Sequence, residues 1–390
     1  MSKDEDPIKH KRKFQTKRWI GCPIEDQYLN DDRKTLKQER KLASAMDRSK
    51  YKKTDREKLQ AQKSDKFSQI SREGLLSGKV LAIDPEGTTV SGENGPISCI
   101  LRGTLKREKG AFKNIVVVGD NVLYELTDNN RGAILHVEPR RTVLSRADNL
   151  SRRKEQLIAA NIDQVIITGS VLLPTLKAPL LDRYVIAAKR GGLEPLIVIN
   201  KVDLLEGDFP DKVMQASEKE LFEHLMKAYQ DANIPIIAVS AVTGEGLDEL
   251  RAVMKGKSSV FSGQSGVGKS SLINWITGLD LRVGAMVDRT GKGTHTTTSA
   301  SLVPLESGGW CIDTPGIKSF GVWDLKKEDI QGYFTEISRI GQRCYYPDCS
   351  HFHEENCAVR NAVEAGEISL IRYYSYQSLI ISTSEKHQRR

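Results

Sequence analysis

The chain has 390 residues and a formal net charge of +8, and its length suits two to four folded domains. No apolar stretch approaches the roughly eighteen residues of a membrane span, and the lysine-rich N-terminus lacks the apolar core of a signal peptide. We therefore expect a cytoplasmic chain with no membrane partner. In such a reducing compartment, its six cysteines favour metal binding over disulfides.

The positive charge is concentrated in residues 1–73, which carry 21 Lys and Arg against 13 Asp and Glu. That excess of eight equals the net charge of the whole chain, so the remainder is balanced. Residues 31–67 contain few apolar side chains and cannot bury enough surface to fold alone. We expect a basic extension that is disordered or a solvated helix, serving either solubility or docking on RNA.

Residues 74–145 are predicted to form a small β-barrel, because short apolar runs alternate with turn residues. The five expected strands cover residues 78–84, 88–91, 97–102, 115–126 and 132–137. Five short strands are typical of an OB-type barrel, and an SH3-like barrel is the alternative. RNA binding is favoured over a spacer role by a basic cluster in one connection, formed by Arg102, Lys106, Arg107, Lys109 and Lys113.

A guanine-reading motif is expected next, where the apolar run 195–199 is typical of a buried parallel strand. The motif N-K-V-D that follows consists of Asn200, Lys201, Val202 and Asp203. At the carboxyl end of such a strand, Asp203 can accept hydrogen bonds from the N1–H and amine of guanine, whereas adenine has a lone pair at N1. Leaving the Asp203 carboxylate unpaired opposite adenine would cost about 1–3 kcal/mol. A second run, 234–239, leads to Ser240 and Ala241, where a backbone N–H can meet guanine O6.

A phosphate-binding loop lies after the base motif in the chain. Residues 263–270 read G-Q-S-G-V-G-K-S, between a predicted strand at 258–262 and a predicted helix at 271–277. Backbone N–H groups of such a loop surround phosphates, Lys269 reaches the β- and γ-phosphates, and the Ser270 hydroxyl ligates Mg²⁺. The predicted nucleotide-binding residues here are Ser262, Gly263, Gln264, Ser265, Gly266, Val267, Gly268, Lys269, Ser270 and Ser271.

Two further segments complete the predicted triphosphate site. Residues 310–316 read as a strand ending in D-x-x-G, in which Asp313 holds Mg²⁺ through water and the Gly316 N–H contacts the γ-phosphate. The polar loop 291–298 supplies a threonine hydroxyl to Mg²⁺. Spacing does not choose among Thr296, Thr297 and Thr298, and Thr297 is taken as the site residue. The motif order is circularly permuted relative to an ordinary small GTPase, so D-x-x-G runs directly into the C-terminal region.

A structural metal site is predicted in that region. The spacing C-x4-C-x-H-x5-C supplies Cys344, Cys349, His351 and Cys357, the usual composition of a closed tetrahedral zinc shell. His353 competes for the place of His351, and iron is the alternative to zinc. Helices are expected on both sides of this loop, at 326–340, 358–368 and 369–382, while Cys99 and Cys311 are expected in the core.

The combination of a barrel, permuted guanine motifs and this cysteine spacing resembles the ribosome small-subunit-dependent GTPases, the RsgA or YjeQ family. The resemblance begins near residue 75 and covers, in family order, residues 159–163, 200–203, 263–271, 295–298, 313–316 and the four metal ligands. It implies an OB-type barrel (74–145), a permuted α/β P-loop GTPase domain (146–321) and a helical zinc-binding domain (322–390), after an extension at 1–73.

The resemblance also implies an activity. The expected protein is a cytoplasmic monomer that binds the 30S subunit and 16S rRNA late in subunit maturation, and hydrolyses GTP to GDP when the subunit stimulates it. Ras-type GTPases have a water-orienting glutamine after D-x-x-G, but here that position is Ile317. The resemblance implies His295 as the catalytic residue, and the alternative is that rRNA arranges the water. Rival functions are a nucleotide-gated RNA-binding scaffold and a permuted GTPase of large-subunit assembly.

Overall fold

The computed structural model describes residues 73–84, 87–93, 95–103, 105, 115–127, 131–147, 155–278, 301–313 and 327–388. The side chains of residues 145–147, 155–156, 313, 327–328 and 383–388 are not described. The residues predicted in the N-terminal extension and in loop 291–298, which include His295 and Thr297, lie outside these ranges, as does Gly316. Within them, no helix combines the length and apolar character needed to cross a membrane.

Five strands form a closed barrel. They are β1 (Leu76–Asp84), β2 (Gly87–Gly92), β3 (Gly95–Leu101), β4 (Asn121–Thr127) and β5 (Arg131–Val137). β1 pairs antiparallel with both β2 and β4, and β3 pairs parallel with β5, so the ring closes in the order β1-β2-β3-β5-β4. This Greek-key closure is the OB-type arrangement rather than the SH3-like alternative. Its interior is apolar and includes Val80, Val90, Cys99, Tyr124 and Ile134.

The fourth strand is shorter than predicted, because residues 115–120 form a separate turn ahead of β4. The Asp120 carboxylate is fully buried and accepts hydrogen bonds from the Val117 N–H at 2.8 Å and from Arg140 at 2.6 and 2.8 Å. A buried carboxylate needs such partners, and satisfying them bends the chain away from a continuous strand. The prediction of one strand over 115–126 was therefore wrong in its first half.

A second sheet region carries the nucleotide motifs. Its strands are β8 (Gln164–Ser170), β9 (Glu194–Asn200), β10 (Ile236–Ala238), β11 (Ser258–Gly263), β12 (Ser301–Pro304) and β13 (Trp310–Asp313), in the order β10-β9-β8-β11-β13-β12. All pairings are parallel except the antiparallel edge strand β12, which also meets β1 of the barrel at Ala82. A hairpin of β6 (Val143–Ala147) and β7 (Glu155–Ala160) precedes this region.

Helices cover both faces of the parallel strands, as a doubly wound sheet requires. One face packs against α1 (Ala178–Arg190) and α2 (Lys212–Asp231), and the other packs against α3 (Leu247–Met254) and α4 (Lys269–Thr277). Capping fixes where α2 begins, because the Asp211 side chain accepts the Met214 N–H at 2.8 Å. The predicted strands and helix around the phosphate loop are confirmed by these elements.

Asn161 joins the barrel to this region. Its buried side chain accepts the Arg141 N–H at 2.9 Å and donates to the Gly119 carbonyl at 3.0 Å. The next acidic residue, Asp163, accepts the Ser258 N–H at 2.8 Å at the start of β11. Segment 159–163 therefore holds the barrel beside the strand that leads into the phosphate loop.

The C-terminal region is helical, with α5 (Lys327–Tyr333), α6 (Thr335–Gly341), α7 (Ala358–Glu364) and α8 (Leu370–Gln388). The helix predicted at 326–340 is in fact two helices. Phe334 leaves the helical conformation, with φ −96° and ψ 80°, and buries its ring in the local core. The aromatic face of α8 packs in the same core, where Tyr373, Tyr376, Leu379 and Ile380 are buried.

A buried ion triad fastens α8 to the rest of the fold. Arg372 and Asp182 are 2 % and 1 % exposed and form a hydrogen-bonded pair, while Arg372 Nε donates to Glu336 Oε1 at 2.7 Å. Burial raises the pKa of Asp182, and the adjacent guanidinium opposes that shift. The triad joins α1, α6 and α8, and the guanidinium also lies 4.3 Å from the Phe334 ring centroid.

We predict that Arg372→Met lowers the free energy of unfolding by about 3–5 kcal/mol, because it leaves the Asp182 carboxylate buried without its cationic partner. Urea denaturation followed by circular dichroism measures the change. Lys212→Met is the control, since Lys212 and Asp208 form an exposed pair worth about 0–1 kcal/mol. Equal stability of the two variants would contradict the role given to the triad.

Candidate functional site

The base motif and the phosphate loop meet at the side chain of Asn200. This side chain is 1 % exposed at the end of β9, and its Nδ2 donates to the Val267 carbonyl in the phosphate loop at 2.9 Å. Its Oδ1 accepts the Ala241 N–H at 3.1 Å. One amide therefore joins three segments that the sequence analysis assigned to a single site, including the two that the permutation separates.

Lys201 adds hydrogen bonds to the same junction on its solvent-facing side. It adopts the left-handed conformation (φ 66°), and its Nζ donates to the Gly266 carbonyl at 2.7 Å and to the Leu173 carbonyl. Burial lowers the pKa of Lys201, while the nearby Asp203 carboxylate opposes that shift. The ammonium thus links the base motif to the middle of the phosphate loop.

Asp203 is oriented by Ser240. Its Oδ1 accepts the Ser240 hydroxyl at 2.6 Å, and the fully buried hydroxyl oxygen itself accepts the Thr243 N–H at 3.1 Å. The hydroxyl contacts Oδ1 and makes no hydrogen bond to the other carboxylate oxygen. The carboxylate predicted to bind guanine is therefore held in place by the predicted Ser240–Ala241 segment.

The phosphate loop is built by close backbone approaches. Gly263 has φ 145°, and a Cβ there would lie 2.2 Å from the Thr168 carbonyl on β8. Gly268 has φ 90°, and a Cβ there would lie 2.3 Å from Asn200 Nδ2. These two positions require glycine, because a side chain would push the loop from its neighbours.

Lys269 connects the end of the phosphate loop to its start. Its Nζ donates to the carbonyls of Gly263 at 2.8 Å and Gln264 at 2.7 Å. α4 begins at this residue, and the Ser270 side chain is exposed at its first turn. A helix N-terminus with a fixed ammonium beside it is suited to a phosphate group.

Two other predicted residues of this site, Ser262 and Asp313, lie on neighbouring strands. Ser262 is buried within β11, and Asp313 ends β13, which pairs with β11 through Val260 and Ile312. The D-x-x-G motif thus starts beside the phosphate loop, although the Asp313 side chain is not among those described.

A supporting loop at residues 171–176 is absent from the sequence predictions. Glu218 on α2 is fully buried and accepts the Leu176 N–H at 2.6 Å, which holds this loop beneath Lys201. A signal was available, since Glu218 lies three and seven residues before Leu221 and Leu225 on an apolar helix face. No sequence signal could identify the Leu173 carbonyl as an acceptor for Lys201, because every residue has a backbone carbonyl.

The four predicted metal ligands come together in the loop between α6 and α7. Their donor atoms, from Cys344, Cys349, His351 and Cys357, all lie within 4.8 Å of one another. His351 Nδ1 is 3.5 Å from the sulfurs of Cys344 and Cys357, which are 3.9 Å apart. A tetrahedral zinc shell has N–S and S–S edges of about 3.6 and about 3.8 Å. The donors therefore fit a metal ion, and the competing His353 is exposed outside the cluster.

The backbone of this loop is fixed around Glu354. Burial disfavours ionisation of its carboxylate, but hydrogen bonds from the Ser350 side chain and from backbone N–H groups prevail and lower its pKa to about 2. They include the N–H groups of Ser350 at 2.7 Å and Phe352 at 3.0 Å. Burial raises the pKa of Cys349 to about 12, a shift that a bound cation reverses because the thiolate is the ligand.

Known proteins share this architecture. A family described as RsgA GTPase matches residues 137–323. A small ribosomal subunit biogenesis GTPase RsgA from Chlorobaculum parvum is 39 % identical over 321 residues, covering 80 % of this chain and 99 % of the relative. Among solved structures, YjeQ from Thermotoga maritima has a TM-score of 0.60 and 32 % identity, covering 79 % of this chain and 98 % of YjeQ. YloQ, described as a circularly permuted GTPase, has a TM-score of 0.61 and 26 % identity over 81 % of this chain and 96 % of YloQ.

The fold and the two junctions at Asn200 and Lys201 define a P-loop GTPase with permuted motif order. With a relative at this identity matched over almost its full length, the chain belongs to the RsgA GTPase family.

We predict that Gly268→Ala weakens guanine nucleotide binding at least tenfold, since the added methyl group displaces the Asn200 amide. Titration with a fluorescent GDP analogue measures the affinity. Gly278→Ala is the matched control: Gly278 also has positive φ, but a Cβ there meets no atom within 4 Å. An equal loss in both variants would mean that backbone strain, and not the Asn200 contact, is responsible.

Proposed function

We propose that this GTPase binds GTP and GDP at the junction of the base motif and the phosphate loop, and acts in the maturation of the small ribosomal subunit. The observation that carries the nucleotide assignment is the Asn200–Val267 hydrogen bond, which joins the two separated motifs. The ribosomal role is supported by relatives that are named for small ribosomal subunit biogenesis and match almost end to end.

The proposed roles follow from the chemistry of each side chain. Asp203 accepts the N1–H and amine of guanine, and an adenine base would leave it unpaired. Lys269 neutralises the β- and γ-phosphates, which compete with the loop carbonyls that it now contacts. Mg²⁺ accompanies the triphosphate, and the residues that would hold it are Ser270, Thr297 and Asp313.

Hydrolysis requires a group that orients water. Ile317 follows D-x-x-G and has no polar atom for that purpose. We assign the role to His295, whose imidazole can accept a proton from water near neutral pH. The Gly316 N–H is assigned to the γ-phosphate.

The remaining regions are assigned on composition and packing. Apolar clusters centred in the barrel, in the parallel sheet and in the C-terminal helices support domains at 74–145, 146–321 and 322–390, after a basic extension at 1–73. We propose that zinc fills the Cys3His shell as a closed structural site. The proposed partners are the 30S subunit and its 16S rRNA, with the protein acting as a cytoplasmic monomer.

The decisive experiment measures GTP hydrolysis with isolated 30S subunits, with isolated 50S subunits and with neither. We predict stimulation by 30S alone. Lys269→Ala is the control, because turnover that survives this change comes from a contaminating GTPase. Stimulation by 50S would indicate a role in large-subunit assembly, and stimulation by neither would indicate a nucleotide-gated scaffold.

We predict that His295→Ala lowers the 30S-stimulated rate by about 10²–10⁴-fold and leaves GTP affinity unchanged, because proton transfer acts in the transition state. Single-turnover hydrolysis measures the rate. His224→Ala, a change at an exposed histidine of α2, is the control. A stimulated rate close to that of the unaltered protein would show that rRNA arranges the water.

A further inference from the structure

The side chain of Gln331 lies directly behind the metal-facing histidine. Its Nε2 is 3.1 Å from His351 Nε2, and both atoms lie against Gly341, where a Cβ would be 3.0 Å from the glutamine and 3.1 Å from the imidazole. Gly341 therefore leaves the space in which the two side chains meet. Gln331 belongs to α5, the first described element after the D-x-x-G strand.

The orientation of the His351 imidazole determines whether Gln331 must donate a hydrogen bond to it or accept one from it. Nδ1 faces the sulfurs of Cys344 and Cys357 at 3.5 Å, so Nε2 points away from the cluster toward α5. A metal ion bound through Nδ1 leaves the ring proton on Nε2, which then requires a hydrogen-bond acceptor. A half-turn of the Gln331 amide places Oε1 where Nε2 now lies and supplies that acceptor.

We propose that Gln331 is the positioning residue of the metal site: its amide oxygen accepts the Nε2–H of His351 and fixes the ring for ligation through Nδ1. Such partners of a ligating histidine set its tautomer and its orientation. The inference rests on the proposed metal site and adds a residue that the cysteine spacing does not reveal.

The position of Gln331 gives this contact a second consequence. Residues 314–326 connect the D-x-x-G strand to α5, and Ile330 beside Gln331 is fully buried in the same cluster as Cys349 and Cys357. The metal site is therefore packed against α5, the first described helix after the D-x-x-G strand.

The loop backbone is restrained independently of this contact. The Tyr373 hydroxyl donates to the His351 carbonyl at 2.6 Å, and Glu354 holds the preceding and following N–H groups. A substitution at Gln331 should therefore act on the ring of His351 and leave the loop path in place. That separation makes the contact testable.

Zinc affinity of the full chain, measured by competition with a chromophoric chelator, tests the proposal. Gln331→Met keeps the side-chain length but removes the acceptor, and we expect affinity to fall about 10–100-fold. Gln331→Glu offers only acceptor oxygens, and we expect affinity equal to or tighter than that of the unaltered protein. Gln342→Met, a change at an exposed glutamine beyond Gly341, should have no effect.

Nitrogen-15 NMR of histidine-labelled, zinc-loaded protein gives a readout that simple destabilisation would not move, and it needs no variant. The expected result is a proton on Nε2 of His351 and the metal on Nδ1. The reverse assignment overturns the proposal, as does Gln331→Met affinity within twofold of the unaltered protein or Gln331→Glu affinity as low as that of Gln331→Met. If the unaltered protein bound no stoichiometric zinc, the metal assignment itself would fail first.

Discussion

The buried amide of Asn200 is the contact on which the nucleotide site depends. It is a small polar group surrounded by apolar strands, so leaving any of its hydrogen bonds unmade would cost about 1–3 kcal/mol. Because its partners lie in the phosphate loop and in the Ser240–Ala241 segment, satisfying it assembles the site. The position of each segment in the chain is irrelevant to that requirement, and a permuted sequence can meet it as well as an ordinary one.

Permutation does change what lies next to the triphosphate motifs. The D-x-x-G strand is followed by α5, which belongs to the C-terminal core and carries Gln331 beside the metal cluster. A second link runs through α1, where Asp182 is paired with Arg372 of α8. The C-terminal helices are therefore attached to the nucleotide-binding region at two separate places, one at each end of their sequence.

These two attachments differ in physical character. The Arg372 triad is buried and hydrogen bonded, so it resists separation of α1, α6 and α8 as long as all three charges remain. The other link leads to α5, which lies beside the metal cluster, and the loop of that cluster is held by its ligands and by the Glu354 carboxylate. The triad therefore depends on its three buried charges, whereas the packing beside α5 depends on the metal ligands.

The sequence by itself determined the class of protein, the order of its motifs and the three cysteine donors of the metal site, while the structure chose His351 over His353 as the fourth donor. Each of these depends on local chemistry: glycines that allow a tight loop, a strand that ends in a polar group, or ligands at a fixed spacing. The tertiary structure alone decided the pairs Arg372–Asp182, Arg140–Asp120 and Glu218–Leu176, which are 190, 20 and 42 residues apart. Those residue types are ordinary in sequence, and each becomes structural only when burial removes water and a distant partner must replace it.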